Sequence, residues 1–229
     1  MGYDLHISRA IMWIDSAWFP ILRAEVLGLI ERHDDLALPE GYPVDTDTGG
    51  FDFHCLPDDW LWFTGGQIKT KNPEPHLIRR MAELAVELDA WLIGDDGEVY
   101  AWDGREVVQR DREPDEYQVE RCVITRASGT VWSWEAPILP DEWMALAQTQ
   151  PDFDIGTRIE AVLPSGPTWI TCPPVAHWMA HPSGRPLPFL PFQDVVVVRD
   201  RDPATVRRAG LLAAALGAHV TDENDEPLG

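Results

Sequence analysis

The sequence predicts an α+β protein, a tandem duplication of a β-α-β-β-α-β module of the ferredoxin-like type, with the two copies packed together. Three observations predict it: a repeat that holds register, strand and helix periodicities alternating within each copy, and an apolar content of 45% in 229 residues, enough to bury a core. Sliding the chain by 117 residues sets ISRA (7–10) on ITRA (124–127) and PILRAEVLGL (20–29) on PILPDEWMAL (137–146) without a gap. Over 7–35 against 124–152 this offset gives 10 identities in 29, and it also sets Cys55 on Cys172 and Pro57 on Pro174. Beyond that the offset becomes 128, and 78–98 meets 206–226 with 7 identities in 21. The second copy therefore holds 11 extra residues, within 177–188. Repetition over such a length marks a duplicated structural unit. The copies are 1–102 and 119–229, with a charged linker, 103–118, between them.

Within each copy the elements follow in order. Tyr3, Leu5 and Ile7 alternate with Asp4, His6 and Ser8, and pair in the repeat with Cys122 and Ile124, so a half-buried strand opens the module. Leu22, Val26, Leu29 and Ile30, matched by Leu139, Trp143, Leu146 and Ala147, trace the stripe of an amphipathic helix. Short strands follow near Phe51–Cys55, 60–63 and Gln67–Lys71, and in the second copy near 168–172 and 195–199. The run VVVV is β-branched throughout and predicts a buried strand. A second helix starts after Asn72-Pro73 or Asp202-Pro203, an N-cap residue followed by a proline at the first helical position. Its buried stripe is Ile78, Met81, Ala85 and Leu88 against Val206, Ala209, Ala213 and Leu216. A strand over 90–93, a DDGE turn and a return over 98–102 close the first copy, since Asp-Gly between apolar runs is a hairpin signal.

The opening YDLHISR (3–9), with NPE (72–74), the following helix and GDDGEVY (94–100), resembles a family of small bacterial proteins with no assigned activity. Its members begin with a YDLHITR-like strand and end with a GDDGE-like hairpin. The resemblance covers 1–102; the second copy keeps ITR (124–126), the helix stripe and ENDE (223–226). It implies an accessory protein of bacteria and contributes no catalytic residues. Duplicated acidic proteins of this character are similar to the immunity proteins that neutralise polymorphic toxins.

Formal net charge is -21, which argues against nucleic acid or an anionic membrane as partner, since both bind through basic surface. A basic protein partner is the complement. Residues 1–117 carry 25 acidic against 10 basic side chains, -15, and 118–229 carry 14 against 8, -6. The three cysteines form no CxxC pair, and no apolar run reaches the length of a membrane span, so the expected setting is the reducing cytoplasm.

No nucleophile elbow, P-loop, dinucleotide fingerprint or zincin motif occurs, no cofactor is expected, and the chain reads as a non-enzymatic binder. His54 and Cys55 are neighbours on a strand, so their side chains point to opposite faces. The Asp95–Glu98 carboxylates read as a turn in preference to a cation loop. Cys172, His177 and His181 form C-x4-H-x3-H, a weak zinc candidate with prolines and glycine on both sides. Arg79–Arg80 and Arg207–Arg208 recur in both copies beside the second helix's stripe and read as partners for acidic groups. Eleven tryptophans include several in loops. Trp13, Asp15, Trp18, Phe19, Asp58, Asp59 and Trp60 are the candidate partner-binding residues, aromatic anchors beside carboxylates; Trp132 and Trp134 take the same loop in the second copy. The expected function is neutralisation of a basic partner, as an immunity or antitoxin protein. Alternatives are a small-ligand or enzymatic site in the cleft between repeats, with the inserted loop capping it, and self-association without a ligand.

Overall fold

The computed structural model describes residues 2–42, 49–55, 58–112, 120–128 and 131–228. The fold is α+β. Two compact units form, one of Met1–Tyr117 with Glu160–Cys172, the other of Gln118–Ile159 with Pro173–Gly229.

In the first unit the chain runs β1 (Asp4–Ser8), a 3-10 turn (Trp13–Asp15), α1 (Arg23–Arg32), β2 (Leu36–Ala37), β3 (Phe51–Cys55), β4 (Asp59–Thr64), β5 (Gln67–Lys71), α2 (Pro75–Glu87), β6 (Trp91–Gly94), β7 (Val99–Trp102) and β8 (Val107–Arg110). Its antiparallel sheet has the order β2-β3-β4-β5-β1-β6-β7-β8. Strand β1 is central, with Ile7 opposite Ile68 on one side and Leu92 on the other. Period-two alternation turns Leu5 and Ile7 toward α1 and α2, where they pack with Val26, Leu29, Leu77, Met81 and Leu84. His6 and Ser8 face the opposite side of the sheet. Each large apolar side chain buried here contributes about 1.5–3 kcal/mol.

From Cys122 the chain runs β9 (Cys122–Thr125), a 3-10 turn (Ser133–Glu135), α3 (Pro140–Gln148), β10 (Phe153–Leu163), β11 (Gly166–Trp178), β12 (Leu187–Phe192), β13 (Val195–Val198), α4 (Pro203–Ala215) and β14 (His219–Thr221), all in the second unit save the Glu160–Cys172 stretch of β10 and β11. The sheet order is β10-β11-β12-β13-β9-β14, with Ile124 opposite Val196 and Val220. Trp143 fills the core against Phe189 and Phe153.

Polar contacts recur at the two offsets as well. Arg9 donates to Leu88 O, Pro20 O and the Glu25 carboxylate; Arg126 donates to Leu216 O, Pro137 O and Glu142. Arg80 forks onto Asp35, and Arg208 reaches Asp152 at 2.6 Å. The expectation that these arginines serve acidic groups agrees with both pairs. Left-handed backbone recurs too: Gly65 and Gln193 have φ of 56° and 53°, Asp89 and Gly217 47° and 62°, Gly97 and Asp225 88° and 63°.

Several expectations need correction. Helix α2 starts at Pro75 with Glu74 as N-cap; Asn72 takes a φ of 48°, unlike the extended backbone of an N-cap, and instead accepts the Tyr3 N–H. In α4 the Asp202 side chain accepts from the Thr205 N–H, with Pro203 at the first position. Leu22 and Leu139 precede their helices and are exposed, so the first-helix stripe is carried by Val26 and Leu29, and by Trp143 and Ala147. The valine run is only half buried: Val196 and Val198 face the core, and Val195 and Val197 the other side. Part of the stretch expected as a linker is β8, whose Val107 pairs with Trp102; 113–118 lies outside the described residues. The 11 extra residues are shared between β11, which runs on to Trp178, and the connection 179–186 that joins it to β12.

Candidate functional site

Helices cover one face of each sheet, so chemistry is sought on the other. In the first unit His6 is buried there, its Nδ1 3.0 Å from Gln67 Oε1 and its Nε2 3.2 Å from Asp95 Oδ1. The Trp13 indole lies flat on the imidazole, with centroids 4.5 Å apart and planes within 2°. Asp15 and Phe19 are buried and Trp18 is half buried, while Ser16 Oγ donates to Gly65 O in the β4–β5 turn. The 3-10 turn thus folds its aromatics onto the sheet.

Asp58, Asp59 and Trp60 sit at the other end of β4. A strand spans about 3.3 Å per residue, so the length of β4 keeps them roughly 17 Å from that turn. The candidate partner-binding residues therefore fall into two clusters. In the second, Asp59 binds His76 at 2.8 Å, and Trp60, 39% exposed, lies against His54 with centroids 3.7 Å apart.

The acidic hairpin is a turn. Gly97 N–H donates to Gly94 O, and Gly94 N–H to Glu98 O. Asp95 accepts from the Asp4 N–H at 2.7 Å. Glu98 is buried between the Tyr3 and Tyr100 hydroxyls; burial, then the Glu98 hydrogen bond, push the Tyr3 hydroxyl far above its ordinary pKa. In the second unit the same backbone persists without the glycine: Asp225 N–H donates to Asp222 O and Asp222 N–H to Glu226 O. The turn kept in sequence as ENDE (223–226) thus keeps its backbone, with Asn224 and Asp225 where the first unit has Asp96 and Gly97.

The weak zinc candidates do not converge. Cys172 and His177 are five residues apart on β11, roughly 16 Å along an extended strand. His181 instead contacts Ser183 and Asp202. His181, Asp200 and Asp202 do bring ligand atoms within 4.8 Å of one another, but Asp202 is the N-cap of α4 and Asp200 accepts the Asp202 N–H. This cluster is the cap of a helix. Burial pushes the thiols up, Cys55 to about 12, Cys122 and Cys172 to about 11, away from the thiolate needed for nucleophilic or metal chemistry.

The corresponding face of the second unit is open. Trp132 and Trp134, at the 3-10 turn of the second strand-to-helix loop, stack on each other with centroids 5.0 Å apart and planes within 7°, and are 64% and 63% exposed. Beside them is a cavity of about 440 Å³ whose floor is Thr125 and Thr221 and whose walls include Ser128, Trp132, His219 and Asp225. Thr221 is 2% exposed, and its hydroxyl has no hydrogen-bond partner among the described residues. Sequence reasoning had noticed Trp132 and Trp134 but selected their first-copy counterparts. His219, Thr221 and Asp225 carried no signal, being ordinary strand and turn residues until the fold gathers them.

No family model, no curated protein and no solved structure matches this chain.

Proposed function

We propose that this protein is a non-enzymatic, acidic binding module that neutralises a basic protein partner in the bacterial cytoplasm, as an immunity protein does a toxin. The observation that carries the proposal is the stacked, solvent-exposed pair Trp132 and Trp134 beside an open cavity, in a chain of net charge -21. Exposed tryptophan costs solvation that a folded core would have relieved, and indoles are the preferred anchors of protein interfaces. Opposite charge speeds encounter and makes it salt-sensitive. His6 is engaged by Gln67 and Asp95 and His181 by Asp202, and the thiols are buried.

The reading includes a tandem duplication of a ferredoxin-like core. The four-strand sets β6-β1-β5-β4 and β14-β9-β13-β12 support it, as do the paired arginine networks and the paired left-handed residues. In each unit the strand that opens the module lies between the two strands flanking its second helix, the 4-1-3-2 order of that fold.

The test is capture by the immobilised chain from a lysate of its host. A basic protein is expected at low salt, eluting as salt rises, with Trp132→Ala/Trp134→Ala retaining less. Failure to retain any basic protein, or retention indifferent to both salt and the tryptophans, overturns the proposal.

A further inference from the structure

In the first unit, the place equivalent to the second unit's cavity is filled by the chain itself. Arg112, following β8, donates from Nε to Gly97 O at 2.7 Å and from Nη1 to Ile11 O at 2.5 Å. Trp91 lines the small cavity beside it, with Ile11, Arg110 and Val162. Shifted by the repeat offsets, Gly97 becomes Asp225, Ile11 becomes Ser128 and Trp91 becomes His219, and all three line the second unit's cavity. There the outer edge of β14 is met by Pro227, which bridges to Thr221 and itself lines the cavity.

We infer that the cavity walled by Trp132, Ser128, His219 and Asp225 is a socket for an arginine side chain of a partner protein. This rests on the reading above and names the group recognised. A guanidinium carries five N–H donors and no acceptor. The cavity offers what such a group needs: the Asp225 carboxylate, where the first unit has only a glycine carbonyl, and the buried, unpartnered Thr221 hydroxyl. Trp132 supplies an exposed indole on which a planar cation stacks. A guanidinium's hydrogen bonds are charge-assisted to either acceptor, but a carboxylate adds an opposite charge that a carbonyl lacks, so the second unit's version is the stronger receptor for a cation arriving from outside.

The probe is the chain's own occupant, an acetylated and amidated VVQRDR peptide (107–112), titrated into the full-length protein. Binding is read from the Trp132 indole N–H resonance, assigned with Trp132→Phe. The peptide is expected to shift that resonance at millimolar concentration or below. Citrulline in place of its last arginine abolishes the shift, and Asp225→Asn weakens binding at least fivefold. Asparagine tolerates left-handed backbone, so this variant keeps the turn, which an unchanged melting temperature verifies. The inference is overturned by no shift at about 10 mM peptide, well above the range of useful affinity, by equal binding of the citrulline peptide, or by an unaffected Asp225→Asn. If the peptide arm fails while the chain still captures a basic protein at low salt, the socket falls and the binding function stands. If capture fails too, both fall.

Discussion

Replacing Arg9 with methionine should cost the first unit roughly 2–4 kcal/mol. Arg9 is only 12% exposed at its side chain. It joins three segments: Leu88 O at the end of α2, Pro20 O ahead of α1, and the Glu25 carboxylate at 2.8 and 2.9 Å. Methionine preserves the buried stem and removes the guanidinium. A buried carbonyl stripped of its donor costs about 1–3 kcal/mol, and Leu88 is 4% exposed. Glu25, with a side chain 35% exposed, is rehydrated, so its loss is discounted to about 1 kcal/mol. With a urea dependence near 2 kcal/mol per molar, the midpoint falls by about 1–2 M. Because two compact units can unfold separately, the assay is urea denaturation combined with peptide-resolved hydrogen exchange, and protection should drop in α1 and α2. Burial pushes the Glu25 carboxyl up, but the Arg9 hydrogen bonds, the Leu22 N–H and the Arg9 charge outweigh it, leaving it below the usual glutamate range. The ion-pair share of the effect is therefore full above about pH 4.3, where an unfolded glutamate titrates, and is lost as pH falls below it. A midpoint shift under about 0.3 M, or a loss spread evenly over both units, would refute the argument.

Gln193→Gly should stabilise the second unit by about 0.5–1 kcal/mol, since glutamine there holds a φ of 53° where the first unit has Gly65; a melting temperature that fails to rise would count against the backbone equivalence. The thiols, held near 11 to 12 by burial, should resist iodoacetamide at pH 8 in the native chain and react once denaturant is added, which mass spectrometry reads directly. Burial also lowers the pKa of His177, with Asp154 partly offsetting it. The unfolded chain then binds the proton more readily, so stability falls as pH drops through about 6.5, and His177→Gln should flatten that part of the pH–stability curve.

Much of the fold was legible because the residues that hold it are polar and specific. Arg9, Pro20, Glu25 and Leu88 form one network and Arg126, Pro137, Glu142 and Leu216 another, so the identities that revealed the repeat are the contacts that fix its helices. The start of α2 was less legible because the favoured cap pair, Asn72-Pro73, is not the one used: Asn72 takes a left-handed φ, and the helix starts at Pro75 behind Glu74, which makes no side-chain cap. Strand β8 read as linker since charged residues flank it on both sides, Asp103, Arg105 and Glu106 before and Asp111 and Arg112 after, and charge density says nothing about edge pairing. The length of the β10–β11 hairpin was hidden by Pro164, Pro167, Pro173 and Pro174, which read as breaks. Whether a loop tryptophan folds inward depends on what lies beneath it. Trp13 has the His6 ring to stack on, whereas the residue matching His6 is Val123, and Trp132 stacks on Trp134 instead.

That last substitution links the fold to the proposed function. With His6 on β1, the first unit's open face has a flat polar ring to hold Trp13, an Asp95 to hold the ring, and an arginine from its own chain in the adjoining recess. In the second unit Val123 replaces the ring, Glu223 stands at the place of Asp95, and β14 is the sheet edge. Without the ring that Trp13 rests on, two indoles and a carboxylate face water above the buried Thr221 hydroxyl. On the proposed duplication, one copy is free to depart from self-sufficiency while the other keeps a complete face. Under the proposed function, the less acidic half, at -6 against -15, would be the one that grips, and the acidic half would supply the field that draws a basic partner in. Neutralising acidic side chains on the first unit should therefore slow association while leaving dissociation nearly unchanged, whereas Trp132→Ala should speed dissociation; the reverse assignment, measured by surface plasmon resonance with the captured partner, would overturn this division of labour.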